Sequence, residues 1–112
     1  MKTFMALYFA PLAALKEMGT PSPEKVKEEM EKWTDWAMNT GEALLDMGTP
    51  LGKTKRVTES GISDAKNEVT GYSIVEADSH EEAASLFEDH PHIKMLPGAW
   101  IDVLPCIPMD DL

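Results

Sequence analysis

The sequence predicts one α+β domain with its elements in the order β-α-β-β-α-β, and three observations predict it. Residues 3–9, 70–77 and 99–104 are rich in aromatic and branched apolar side chains, and the first and last of them alternate at the two-residue spacing of strands. Residues 23–39 and 79–89 carry apolar side chains at the three- and four-residue spacings of helices, each led by a serine suited to capping. At 112 residues the chain is long enough for one core and too short for two, so residues 1–112 are expected to form a single domain.

The first strand sets Met5, Leu7 and Phe9 on one face and Phe4, Ala6 and Tyr8 on the other, a pattern that predicts burial on both. A loop holding Pro11, Gly19 and Pro21 follows. Ser22 then caps a helix with Pro23 at its first position and Glu24 near the positive end of its dipole. Its stripe is Val26, Met30, Trp33 and Ala37, with Trp36 on the flank, and Gly41 ends it by taking the left-handed conformation at no steric cost.

Residues 43–58 hold Leu44, Leu45, Met47, Leu51 and Val57, broken by Gly48, Pro50 and Gly52, and read as an irregular second strand with a bulge or bend. The polar, turn-rich residues 59–68 complete a long hairpin into the strand at 70–77, which holds Tyr72, Ile74 and Val75. Ser79-His80-Glu81-Glu82 is a capping box that opens a helix running to Asp89. The inner face of that helix is Ala83, Leu86, Phe87 and His90, and Pro91 prevents its continuation. In the last strand Ala99, Ile101 and Val103 alternate with Trp100, Asp102 and Leu104 until Pro105 and Pro108.

Four strands and two helices in this order make two β-α-β halves. Right-handed crossovers put both helices on one face of an antiparallel sheet, the ferredoxin-like arrangement. The other face is too apolar to be left in water, and a second copy packed sheet to sheet is the economical cover, so a homodimer is expected.

Apolar residues make up 43% of the chain and charged residues 27%, the balance of a globular protein. Twenty acidic against ten basic residues give a net charge of −10, which repels nucleic acid and anionic membranes and excludes both as partners. The one basic run, Lys53-Thr54-Lys55-Arg56, reads as a solvated hairpin arm. Lys2 followed by the apolar residues 4–15 imitates a short signal peptide, but Pro11 interrupts the run and no small-residue cleavage site follows. Cys106 is the only cysteine, so no intramolecular disulfide can form, and a cytoplasmic location is expected.

The densest cluster of chemically able side chains is Glu88-Asp89-His90-Pro91-His92. A histidine steered by a carboxylate is the usual general acid and base, which makes His90, His92 and Asp89 the catalytic candidates. A helix C-terminus favours imidazolium and would let His90 titrate near neutral pH. Against this stands a plainer reading, in which His90 bonds a last helical carbonyl and His92 sits in solvent.

His90-x-His92 has the spacing of a metal chelate with Asp89, Asp102 or Asp46 as third ligand. Without CxxC, HExxH or a third histidine nearby, no metal and no cofactor are expected. His80 reads as exposed beside its glutamates. Trp36 and Trp100 are candidate pocket residues, since indoles supply area and one polar N–H. Asp102, between Trp100 and Leu104 on one strand face, is either a paired buried carboxylate or a sign that this face is wet. Scattered methionines and the isolated Cys106 receive no role. No phosphate loop, GxSxG or dinucleotide fingerprint is present, which leaves kinase, serine hydrolase and Rossmann readings without support.

As a set, the residues resemble the YCII-related family, in particular the branch that contains the so-called DGPF proteins. The resemblance covers nearly the whole chain. It rests on Lys2-Thr3-Phe4-Met5-Ala6-Leu7, the helix end from Trp33 to Trp36, Gly41-Glu42-Ala43-Leu44-Leu45-Asp46-Met47-Gly48-Thr49-Pro50-Leu51-Gly52, Val69-Thr70-Gly71-Tyr72-Ser73-Ile74-Val75, His90-Pro91-His92, and Ile101-Asp102-Val103-Leu104 with Pro108-Met109. It implies a ferredoxin-like fold in a dimeric α/β-barrel arrangement. Roles proposed within the family include a histidine and aspartate active site and, in one branch, dehydrochlorination of chlorinated hydroquinones. The chain departs from the eponymous motif, carrying Ser63-Asp64-Ala65-Lys66-Asn67-Glu68 where those members have Asp-Gly-Pro-Phe, so that Asp64 alone corresponds and joins the ligand-binding candidates.

Three functions follow as expectations. The first is a homodimeric domain that binds a small molecule unchanged, near Trp36, His90 and His92. The second is a small lyase or related enzyme with His90 or His92 as acid and base and Asp89, Asp64 or Asp102 as the orienting carboxylate. The third is a structural accessory module with no ligand.

Overall fold

The computed structural model of the protein describes residues 1–18 and 22–112, so Gly19 and Pro21 of the expected first loop lie outside the described residues. In chain order the elements are β1 (Lys2–Phe9), α1 (Leu12–Met18), α2 (Pro23–Thr40), β2 (Leu44–Asp46), β3 (Thr54–Thr58), β4 (Gly61–Ala65), β5 (Val69–Ala77), α3 (His80–Ser85), α4 (Pro91–Met95) and β6 (Trp100–Pro105). They make an α+β fold in which β2-β5-β1-β6 form a four-stranded antiparallel sheet and β3-β4 a separate two-stranded one. Among the described residues no helix is long and apolar enough to cross a membrane.

β1 is central because its alternation suits it to neighbours on both edges. Phe4, Ala6 and Tyr8 face the helices and are fully buried, with Ser73, Val75 and Ala77 of β5 beside them. Trp36 of α2 and Ala83 of α3, followed by Phe87, close the layer, with Trp33, Ala37, Leu86, Ile101 and Val103 partly buried at its margins. Each fully buried Phe or Val side chain contributes about 1.5–3 kcal/mol, so Phe4, Val75 and Phe87 are enough to fix which face is inside. Met5, Leu7 and Phe9 lie on the opposite face and are only half buried in the single chain, where the sequence predicts burial on both sides.

Four elements differ from the expectation. Residues 12–18, assigned to a loop, form α1: Leu, Ala, Lys, Glu and Met are the strongest helix formers, and Leu15 N–H closes the first turn on the Pro11 carbonyl at 3.1 Å. In α2 only the C-terminal half packs on the sheet, leaving Val26 and Met30 of the predicted stripe 42% and 57% exposed, while flanking Trp36 is buried.

The long second strand is split. β2 pairs with β5 for three residues with a register shift, Pro50 adds one bridge to Gly71, and the chain then leaves the sheet as the β3-β4 hairpin closed by Glu59 and Ser60. The second expected helix also divides. Ser79 Oγ caps α3 by accepting from Glu82 N–H, but α3 ends at Ser85, and a new helix starts at Pro91 with His90 as its cap. Proline at a first helical position is favourable and in an interior is not, so Pro91 begins an element here.

Candidate functional site

The candidate residues fall into two separate places. Trp36, His90 and His92 converge on the helical side of the sheet, and Asp89 lies at the rim of the same region. Asp64 sits exposed on β4, paired with Lys55 across the hairpin. Trp100 and Asp102 lie on the open face of the sheet, where Trp100 stacks on Phe9 with parallel rings 5.2 Å apart and Asp102 stands exposed opposite Leu7. Exposure identifies Asp102 as the mark of a wet face rather than a buried, paired carboxylate.

His90 is completely buried in an aromatic box. Trp33 and Trp36 approach it with ring centroids at 4.4 Å each, Tyr8 at 4.9 Å and Phe87 at 6.0 Å. Its Nδ1 accepts the His92 backbone N–H at 3.0 Å, which caps α4 and requires the lone pair on that nitrogen. The proton of the neutral ring therefore resides on Nε2, which is buried without a hydrogen-bond partner and meets only the surrounding aromatic rings. Burial, reinforced by the neighbouring His92, pushes the His90 pKa down to about 3. The expected bond to a last helical carbonyl is absent because His90 precedes a helix instead of ending one.

His92 is also buried and not in solvent. Its Nε2 lies 2.8 Å from the Phe9 carbonyl, which accepts only, so this ring too carries its proton on Nε2. Burial lowers the His92 pKa, and the bond to Phe9 partly offsets that. No carboxylate bonds to either imidazole among the described residues, Asp89 included. The two histidines hold β1 to α4 in their neutral forms. His80, expected to be free in solvent, lays its ring on Phe4 at 5.4 Å and bonds the Val103 carbonyl at 2.7 Å. Among the described residues no three His, Cys, Asp or Glu side chains are grouped to hold a metal ion.

Two further residues enter the site that the sequence reading missed. Ser73 Oγ donates to the Met47 carbonyl at 2.6 Å, which uses its only proton, so the 2.6 Å contact with Tyr8 has the phenol donating to Ser73. Burial accordingly raises the Tyr8 pKa to about 12, against a smaller lowering by the Ser73 bond. The signal for this pair was a serine among apolar residues of β5, directly beside a strand whose tyrosine must bury its hydroxyl. Tyr8→Phe is expected to cost about 1 kcal/mol in urea unfolding, the net worth of one buried hydrogen bond, with the far-ultraviolet spectrum unchanged.

On the outer side of Trp36 lies a cavity of about 640 Å³ between α2 and α4. Trp36, Leu86, Pro91 and Met95 make its apolar lining, while Lys32, Asp35, Asp89 and Lys94 bring both signs of charge to it. The Trp36 indole N–H is already donated to the Leu86 carbonyl at 3.0 Å, so the indole offers an occupant its ring and not its proton. A scan against protein-family models returns no match for this chain, and no curated protein matches it either.

Proposed function

We propose that the protein is a small-molecule-binding domain of the YCII-related kind, working as a homodimer. The observation that carries the reading is the cavity of about 640 Å³ beside Trp36, which falls in the 300–1,000 Å³ range of ligand pockets and combines an apolar floor with four charged side chains. Such a lining suits a compact organic molecule with an apolar body and a carboxylate or amine. Setting aside the β3-β4 hairpin, the main sheet runs last strand, first, third, second, which supports the ferredoxin-like reading. The open face, with Met5, Leu7, Phe9, Tyr72, Ile74 and Trp100, supports sheet-to-sheet pairing of two copies.

The acid–base alternative is less well served. It asks for a histidine that changes charge near neutral pH and a carboxylate that steers it, whereas His90 and His92 are buried, held neutral and bonded to backbone.

The test is a titration of isotope-labelled protein with a library of small organic acids and aromatic amines. A binder is expected to move the Trp36 indole resonance and the Met95 methyl. Asp89→Asn with Lys94→Met is expected to weaken that binding about tenfold, one lost charged contact being worth roughly 1.5–3 kcal/mol. A library that moves neither resonance removes the reading.

A further inference from the structure

Two surfaces left unpartnered by the fold complement each other. The first is the β3-β4 hairpin, an arm that packs on no other element to any extent. Five residues per strand carry it about 17 Å outward. The chain's radius of gyration is accordingly 15.6 Å, against about 13 Å for a compact chain of this length. Val57 and Ile62 face each other across the arm, both 74% exposed, on the same face as Lys55. Residues 53–66 hold four basic side chains and two acidic ones in a chain that is otherwise strongly acidic. An isolated two-stranded hairpin is marginal in water, and one with a bare apolar pair gains most from being covered.

The second surface is the N-terminal half of α2. Val26 and Met30, one turn apart, are exposed where the helix runs past its packing on the core. Residues 23–35 hold five acidic and three basic side chains, a charge excess equal and opposite to that of the arm. The spacing also matches: four residues of helix advance about 6 Å, and a cross-strand pair spans about 5 Å.

We propose that the arm of one copy docks on the N-terminal half of α2 in a second copy, with Val57 and Ile62 against Val26 and Met30 and the arm's basic residues on the helix's acidic flank. Both complementary surfaces belong to the same chain, so a second copy is the occupant that needs no further assumption. Reciprocal exchange of two arms about a two-fold axis closes the assembly. None of the open-face residues takes part, so this contact stands or falls separately from sheet-to-sheet pairing.

The test uses the full chain with Cys106→Ser. Ile62→Cys and Met30→Cys chains, mixed and exposed to oxidised glutathione, are expected to form disulfide-linked pairs containing one of each at least tenfold faster than either forms with itself. Leu7→Asp in both chains, which breaks sheet pairing, is expected to leave that preference intact. By sedimentation, Arg56→Glu is expected to weaken self-association about tenfold and Glu29→Arg to restore it. Mixed and like pairs forming at equal rates, association indifferent to Arg56→Glu, or a chain that sediments as a monomer with no mixed pairs would each overturn the proposal. Thermal unfolding of the monomeric fraction checks that the arm substitutions leave the fold alone.

Discussion

Gly48→Ala is expected to cost more than about 3 kcal/mol, enough to leave much of the protein unfolded when total stability is only about 5–15 kcal/mol. Gly48 has φ +77°, and a Cβ there would stand 1.7 Å from the Tyr72 carbonyl oxygen and 2.6 Å from its carbon. Both atoms are backbone of β5, so relief requires moving a central strand or abandoning the β2-β5 pairing. Gly41→Ala separates conformation from collision. Gly41 also has positive φ, at 65°, but nothing lies within 4 Å of its Cβ position. Its expected cost is about 1 kcal/mol, the penalty of the left-handed conformation alone. Parallel urea unfolding of the two variants measures the difference, and equal costs would show that the approach of residue 48 to Tyr72 carries no weight.

The same glycine explains what was legible in the sequence and what was not. Alternation in β1 and β6 and the capping serines at 22 and 79 speak of local geometry, and those elements stand where the spacing puts them. Residues 43–58 depend on a close approach to a strand some twenty-five residues away, which no local pattern reveals, so the departure of the β3-β4 arm was read as an irregular strand. Val26 and Met30 have helical spacing like Trp33 and Ala37, yet periodicity says which way a side chain points and not whether the helix has run past the sheet. His90 was read correctly as inward-pointing, because it continues the spacing of Ala83 and Phe87. Its chemistry was misjudged because Pro91 starts a helix, and at that cap Nδ1 accepts an amide instead of holding a charge.

That difference makes the protein sensitive to acid in a way the sequence did not suggest. In the unfolded chain an imidazole takes up a proton near pH 6.5, whereas His90 in the folded state does not until about pH 3. The unfolded state therefore holds the extra proton between those values. The stability associated with neutral His90 is complete above pH 6.5 and is lost progressively as the pH falls toward 3. Each pH unit in that window costs about 1.4 kcal/mol for one proton, or on the order of 3 kcal/mol by pH 4. His92, whose pKa is also lowered by burial, acts in the same direction. Protonation of carboxylates on a chain with net charge −10 relieves repulsion in the same range, so the raw profile mixes opposing effects. His90→Phe isolates the imidazole, filling the aromatic box with a ring that cannot titrate, at the loss of the α4 cap. At pH 7.5 the variant is expected to be the less stable protein by about 1–2 kcal/mol, the worth of a cap. As the pH is lowered the wild type should lose stability faster, the gap closing and then reversing near pH 5. Urea unfolding of both proteins at half-unit intervals from pH 7.5 to pH 4 reads this directly; profiles that stay parallel would mean that His90 is protonated in the folded protein as readily as in the unfolded one, and the aromatic box would then have to open to water.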